Sequence, residues 1–151
     1  MVTFIGEYKC RVDDKGRLVF PAPFKNAMPE GGDMRFVIKK SLYSNCLDMY
    51  TYEEWESQSG KVQDSLDFFN PDHSKFWEQY MRDRDVVEPD AKLGRISISH
   101  NLLDAIGIDK EVVFFGVDFK IEIWAKEAFE ASRLSNQDFI AIARSLSRNR
   151  E

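Results

Sequence analysis

Apolar and polar residues alternate along several short stretches of this chain, a spacing that is typical of half-buried β-strands. Four such stretches run from Tyr8 to Val12, from Arg17 to Phe20, from Val86 to Glu88 and from Arg95 to Ile98. Each pair of stretches precedes a predicted short helix, at Ala22 to Met28 and at Asn101 to Ile106. Further strands are predicted at Arg35 to Lys39, Cys46 to Tyr50, Glu111 to Gly116 and Lys120 to Trp124. The pattern indicates an α+β, β-rich fold.

The two series of elements read as copies of one unit. Gly16 to Pro21 resembles Gly94 to Ser99, and Leu47 to Tyr50 resembles Ile121 to Trp124. Glu53-Glu54-Trp55-Glu56 likewise parallels Glu127-Ala128-Phe129-Glu130, and these acidic residues are placed to begin a helix in each copy. Because the matches follow in the same order, they indicate a duplication. We expect a first unit over residues 4–57 and a second over residues 86–131.

Two segments lie outside these units. The segment 58–85 connects them, and it spaces Phe76, Trp77, Tyr80 and Met81 as one apolar face of a helix. This spacing predicts a connecting helix packed on the strands, and the alternative is an aromatic box that binds a ligand. The segment 132–151 is a C-terminal tail. It is predicted to be helical from Leu134 through Arg144 and frayed over its last five residues.

Composition is typical of a folded protein: 43% of the 151 residues are hydrophobic and 31% are charged. No apolar run approaches the roughly 20 residues of a membrane span, and the first residues lack a signal-peptide core. Cys10 and Cys46 stand in separate segments, which favours a reduced cytoplasmic setting over disulfides or a zinc site. His73 and His100 lack metal-ligand spacing, and no catalytic motif occurs. We therefore expect no enzyme activity, cofactor, metal or small-molecule substrate, and no membrane partner.

Net charge weighs against nucleic-acid binding. Lys and Arg number 21 and Asp and Glu number 26, which gives −5, whereas a nucleic-acid binder usually carries a basic surface. Residues 9–17 are a local exception, with four basic residues against two acidic ones and a net charge of +2. Period two places Lys9 and Arg11 on one side of the first strand and apolar residues on the other.

A turn from Asp13 to Gly16 leads from this strand to Arg17. The glycine can supply a left-handed backbone conformation there. We expect the two strands to form a two-stranded ribbon, which fits the major groove, where arginine can bond a guanine with two hydrogen bonds. The alternative is a solvated hairpin in which Asp13 only pairs with Arg17.

Several stretches resemble the MraZ family of bacterial transcriptional regulators. They are Phe4-Ile5-Gly6-Glu7-Tyr8, Asp13 to Pro21, Tyr52 to Trp55, Gly94-Arg95-Ile96 and Ile121 to Glu127. The resemblance implies two fused AbrB-like swapped-hairpin units with pseudo-twofold symmetry, flanked by helices. It also implies that the protein forms ring-shaped homo-oligomers and that these are located in the cytoplasm, in association with the nucleoid. Their expected partner is double-stranded DNA, at repeated boxes upstream of the cell-division and cell-wall gene cluster.

The family carries an aspartate four residues before the arginine in both copies. Asp13 and Arg17 keep this spacing. In the second copy Ala91 stands four residues before Arg95, and the aspartate is Asp90, one place earlier. Either the second turn is one residue longer, or the role of the aspartate is lost there.

Arg17 is expected to bond a base edge, and Asp13 to orient it and brace the turn together with Gly16, as Gly94 does in the second copy. The expected phosphate contacts are Lys9, Arg11, Lys15, Lys92 and Arg95. The competing hypothesis is an acidic oligomeric scaffold that binds protein and has no DNA affinity.

Overall fold

The structure is a computed structural model that describes residues 2–148. The first half of the chain contains β1 (Phe4–Arg11), β2 (Arg17–Val19), α1 (Ala22–Asn26), β3 (Phe36–Lys40), β4 (Leu47–Thr51), α2 (Tyr52–Asp64) and α3 (Pro71–Tyr80). The second half contains β5 (Arg84–Val87), β6 (Arg95–Ser97), α4 (His100–Ala105), β7 (Glu111–Asp118), β8 (Ile121–Ala125), α5 (Lys126–Ala131) and α6 (Asn136–Arg148). Both halves follow the order β-β-α-β-β-α-α, so the duplication seen in the sequence holds for the element order.

Strand pairing interlocks the two halves. Six strands form one sheet in the order β1-β7-β8-β4-β3-β5, and β2 pairs with β6 in a separate two-stranded ribbon. All of these pairings are antiparallel. β1, β3 and β4 of the first half correspond to β5, β7 and β8 of the second. When each strand is replaced by its counterpart, the same sheet order is obtained in reverse, as a twofold relation between the halves requires. The expected pair of fused swapped-hairpin units is confirmed.

The expected ribbon between the strand at Tyr8–Val12 and the strand at Arg17–Phe20 is wrong. β1 pairs along its whole length with β7, and β2 pairs with β6, with Leu18 opposite Ile96. The hydrophobic pattern identified the strands correctly but gave no information on their partners. The two-stranded ribbon in this fold takes one strand from each half.

The main core lies between the six-stranded sheet and a layer made of the ribbon, α1 and α4. Its fully buried side chains come from both halves: Phe4, Leu18, Phe24, Phe36, Ile38, Leu47, Met49, Ile96, Leu102, Phe114, Ile121 and Ile123. Phe20 packs edge-on against Phe114, with ring centroids 6.2 Å apart. Because neither half encloses this core alone, the two halves fold as one body.

Helix positions agree with the sequence apart from their ends. Ser99 caps α4, since its Oγ accepts a hydrogen bond from the Leu102 amide at 3.5 Å. The connecting segment contains α3, whose Tyr80 stacks on Trp55, whereas Phe76 stays 45% exposed. The predicted tail helix is α6, and the last three residues of the tail lie outside the described range. Within that range no helix combines the length and apolar character needed to span a bilayer.

Candidate nucleic-acid interface

Asp13 organises the turn between β1 and β2. Its carboxylate accepts hydrogen bonds from the Lys15 and Arg17 amides, each at 2.9 Å, and from Arg17 Nε at 2.7 Å. The Asp13 amide donates to the Arg17 carbonyl at 3.0 Å, and Gly16 has a φ of +76°. A single side chain therefore fixes both the turn and the direction of the arginine.

Asp90 does the same in the second half. Its carboxylate accepts from the amides of Lys92 at 3.0 Å, Leu93 at 2.7 Å and Arg95 at 3.0 Å. It also accepts from Arg95 Nε at 3.3 Å. The second turn is thus one residue longer and the aspartate keeps its place. Asp90 was not among the predicted bracing residues, although an aspartate five positions before the arginine was the available signal.

Both carboxylates are stabilised as anions. The amide hydrogen bond from Arg17 is the main cause that lowers the pKa of Asp13 below its ordinary value. The pKa of Asp90 is lowered to about 2, chiefly by the amide hydrogen bond from Leu93, with smaller contributions from Arg95 and Lys92. Hydrogen bonds that favour the charged form have this effect. Each arginine is consequently held by a full negative charge at neutral pH.

The two arginines project from the same face of the β2–β6 ribbon. Leu18 and Ile96 face the core, so the residues on either side of them in each strand face outward. Arg17 lies opposite Ser97, and Arg95 lies opposite Val19. Each guanidinium is bonded to its aspartate through Nε. In the part of the chain that the structure describes, the terminal nitrogens of Arg17 and Arg95 donate to no protein acceptor.

A shallow cleft of about 680 Å³ runs beside this outer face. Its charged lining residues are Arg17, Glu88, Asp90, Lys92 and Arg95, three basic against two acidic. The structure therefore brings Arg17, Lys92 and Arg95 together from the two halves of the chain, a grouping that the sequence did not reveal.

Lys9 and Arg11 occupy a different surface. Both are exposed on β1, opposite Val113 and Glu111 of β7, and neither lines the cleft. Lys15 is exposed at the tip of the first turn. Arg11 and Lys15 lie near the first turn, whereas Lys9 lies on the outer face of the six-stranded sheet, the side away from the core and the ribbon.

One buried group of potential metal ligands occurs among the described residues, namely Cys46, Asp48 and Glu122. Lys120 already bridges its two carboxylates, with Nζ 2.8 Å from Asp48 and 3.0 Å from Glu122. Burial raises the pKa of the Cys46 thiol to about 12, so this sulfur stays protonated at neutral pH. The arrangement is that of an internal ion-pair cluster that links β4 to β8.

These features define a class of protein: a duplicated β-β-α-β-β unit whose copies interlock and present two aspartate-anchored arginines on one shared ribbon. The family pattern described as "MraZ protein, putative antitoxin-like" matches residues 3–79 and again residues 80–147. The chain belongs to the MraZ family. Each match covers one half of the structure, and the matched segments include most of α3 and α6.

Named relatives agree with this assignment. A protein of Bacteroides thetaiotaomicron is 33% identical over 92% of this chain and 88% of its own length. Proteins of Acetivibrio thermocellus and Thermoanaerobacter pseudethanolicus are 37% and 38% identical, over 85% and 83% of each chain respectively. All three carry the name transcriptional regulator MraZ.

Proposed function

We propose that this chain is a transcriptional regulator that binds double-stranded DNA sequence-specifically through the outer face of the β2–β6 ribbon. The observation that supports this most is the pair of arginines, Arg17 and Arg95, each anchored by an aspartate through Nε, with terminal nitrogens that bond no acceptor within residues 2–148. The names of the relatives point the same way.

The chemistry of the anchored arginine suits base recognition. Two parallel N–H donors of one guanidinium can bond O6 and N7 of a guanine in the major groove, which admits a two-stranded β-ribbon. Other lysines and arginines would then contact phosphates and set the register of the ribbon on the duplex. The candidates are Lys9, Arg11, Lys15 and Lys92, with Arg95 contacting phosphate or base according to how the duplex lies.

The targets we propose are short repeated boxes upstream of the cell-division and cell-wall gene cluster, bound by a ring-shaped homo-oligomer at the nucleoid. Several subunits on several boxes would compensate for the weak attraction of an acidic subunit, because effective concentration multiplies weak contacts. The division into units 4–57 and 86–131, with a connecting segment and a tail, remains our proposal for the domain organisation.

Replacing each arginine separately tests the proposal. We expect Arg17→Ala to lower affinity for the cognate boxes by about 1–3 kcal/mol and to relax specificity at one position. Arg95→Ala should cost less and act mainly on the salt dependence, because residues 9–17 carry a net charge of +2 whereas residues 82–95 carry a net charge of zero. The two turns are braced alike, so this expected difference depends on charge alone. Binding is measured against cognate and scrambled DNA at two salt concentrations.

Arg35→Ala is the matched control. Arg35 is also paired with an aspartate, Asp33, at 2.7 Å, but it precedes β3 and lies outside the ribbon. This variant should bind like the original chain. Equal sequence-specific losses from Arg17→Ala and Arg95→Ala would mean that both copies read bases. Absence of DNA binding by the original chain at low salt would instead favour the acidic protein-binding scaffold, for which the net charge of −5 is the supporting observation.

A further inference from the structure

A second cleft lies between α3, the end of β3 and α4. We call it the α3–α4 cleft, and its volume is about 650 Å³. Small-molecule sites in proteins typically have volumes of roughly 300–1,000 Å³. The cleft shares no lining residue with the cleft beside the ribbon, and its lining comes from both halves of the chain. It is therefore a separate place at which a small molecule could bind.

The lining of the α3–α4 cleft is basic, although the chain as a whole is acidic. Its charged residues are four basic ones and one acidic one, namely Lys39, Lys40, Arg82, Arg84 and Asp83. The whole chain has a net charge of −5. A concave surface lined by one sign of charge concentrates ligands of the opposite sign. The cleft therefore favours an anionic ligand.

Arg84, at the start of β5, is a half-buried cation without an acidic partner. Its guanidinium lies 4.7 Å from the centre of the Tyr80 ring and 5.7 Å from that of Trp55. Within residues 2–148 its buried Nε atom has no hydrogen-bond acceptor, and the side chain forms no ion pair. More than about nine in ten buried polar groups have a partner, and a bound ion is one explanation of an exception.

Lys39 places a second cation beside the first. It lies directly opposite Arg84 in the pairing of β3 with β5, so both side chains are on the same face of the sheet, and it is only 8% exposed. Its Nζ is 3.6 Å from Asp48, which already accepts from Lys120 at 2.8 Å. Burial is the main cause that lowers the pKa of Lys39, and the charge of Arg84 lowers it further. Like charges in directly opposite positions destabilise a sheet, and an anion between them would remove this repulsion.

The rest of the lining suits an organic ligand. Phe76 of α3 and Leu42 of the β3–β4 loop both line the cleft, and they are 45% and 70% exposed. The Phe76 ring stacks on Tyr80 with ring centroids 5.9 Å apart and an interplanar angle of 18°. A stack of this kind can be extended by a further planar ring. The cleft thus combines cations for an anionic group with an aromatic surface for a ring.

A DNA duplex fits this cleft poorly. Lys39 and the Nε atom of Arg84 are recessed below the surface. The phosphates of a duplex lie on a broad convex surface, so they meet exposed side chains before recessed ones. A small molecule, in contrast, can enter the cleft and reach both cations.

We propose that the α3–α4 cleft binds a small organic phosphate of the nucleoside monophosphate class, with the phosphate at Lys39 and Arg84 and the base against Phe76. A guanidinium can give a phosphate two parallel hydrogen bonds, and these are strengthened by the charges of both groups. This site goes beyond the DNA binding proposed above and does not depend on it.

Isothermal titration calorimetry of the whole chain tests the proposal. The probes are the 5′-monophosphates of adenosine, guanosine, cytidine and uridine, together with inorganic phosphate and the four nucleosides. We expect at least one nucleotide to bind at least about tenfold more tightly than inorganic phosphate and than its own nucleoside. This nucleotide should also raise the urea midpoint, because it binds only the folded chain. Absence of binding by all four nucleotides, or equal affinity for inorganic phosphate, would overturn the proposal.

Replacing Arg84 locates the binding. Arg84→Leu should lower the affinity for this nucleotide by at least about tenfold, because a charged hydrogen-bond donor is lost. It should not lower the urea midpoint of the ligand-free chain, since it removes a buried charge that has no partner. The matched control is Arg35→Leu, because Arg35 also lies over a tyrosine ring, Tyr52, at 3.9 Å but does not line the cleft. A lowered midpoint with unchanged nucleotide affinity would mean that Arg84 only supports Tyr80.

A substitution at an exposed position gives an independent test. Ala105 of α4 lines the cleft and is exposed, so the fold should tolerate a longer side chain there. Ala105→Glu adds a negative charge and should weaken nucleotide binding, whereas the neutral Ala105→Gln should bind much more like the original chain. Nucleotide binding that is the same in both variants would contradict the proposal. Loss of DNA affinity in Ala105→Glu, with no nucleotide bound by the original chain, would place a DNA phosphate in the cleft instead. Nucleotide binding by a chain that binds no DNA would leave this proposal standing and overturn only the proposed function.

Discussion

Asp13 and Asp90 determine how the two arginines are presented. An arginine side chain has many rotamers, and ordering it on binding costs about 0.5–1.5 kcal/mol. Here each guanidinium is already held through Nε, at 2.7 Å in the first half and 3.3 Å in the second. The free ends of both arginines are thereby preorganised for a planar acceptor such as a guanine edge or a phosphate.

The low pKa of Asp90 leads to a prediction on acid stability. The carboxyl has an ordinary pKa of 3.8 and a folded-state pKa of about 2. A lowered folded-state pKa means that its contribution to the free energy of unfolding is complete above pH 3.8 and is lost as the pH falls to about 2. We therefore expect Asp90→Asn to lower the urea midpoint at neutral pH, and the difference from the original chain to shrink over this acid range. A difference that stays constant with pH would contradict the expectation.

At the scale of elements, the two turns bond to the ribbon in the same way but have different surroundings. The Gly16 carbonyl accepts from the Ile98 amide at 3.0 Å, and the Gly94 carbonyl accepts from the Phe20 amide at 2.9 Å. Both glycines have positive φ, of +76° and +64°. A Cβ on Gly16 would lie 2.8 Å from the Ile98 carbonyl oxygen, whereas a Cβ on Gly94 would meet no atom within 4 Å.

This difference predicts unequal effects of a matched pair of substitutions. Gly94→Ala should cost about 1–2 kcal/mol, because only the left-handed backbone is strained. Gly16→Ala should cost about 1–3 kcal/mol more, since the methyl group must also displace backbone that links the turn to the ribbon. Urea unfolding at equal protein concentration measures both variants, and each serves as the control for the other. Equal losses would show that the contact with Ile98 relaxes freely.

At the scale of the whole molecule, the proposed function must contend with a net charge of −5. A single ribbon that neutralises about four phosphates should bind weakly. The logarithm of its binding constant should fall linearly with the logarithm of the salt concentration, with a slope of about −0.9 for each phosphate contacted. Specific binding by such a protein requires several subunits on linked sites.

We therefore expect affinity to fall by at least about tenfold when three boxes on one DNA fragment are reduced to one. The comparison uses fragments of equal length in which two of the boxes are scrambled, so that nonspecific binding is the same in both. Tight binding of a monomer to a single box at physiological salt would refute this account.

The sequence by itself determined the features that depend on neighbours along the chain. Alternating apolar residues identified the strands, and the repeated Gly-Arg stretches identified the duplication. The Asp13 turn was also predictable, because the hydrogen bonds of the Asp13 side chain lie between residues 13 and 17. Such interactions depend on local spacing and backbone conformation, which one sequence displays directly.

Only the tertiary structure decided which strands pair and which basic residues meet. The alternation of apolar and polar residues shows that a strand has one buried face, but it does not identify the partner of that strand. In the structure β2 pairs with β6 rather than with β1. This pairing brings Arg17 together with Arg95, whereas the pairing of β1 with β7 places Lys9 on the outer face of the six-stranded sheet. Partner choice depends on burying the apolar faces of both halves in one core, and that free energy belongs to the packed molecule rather than to any segment of it.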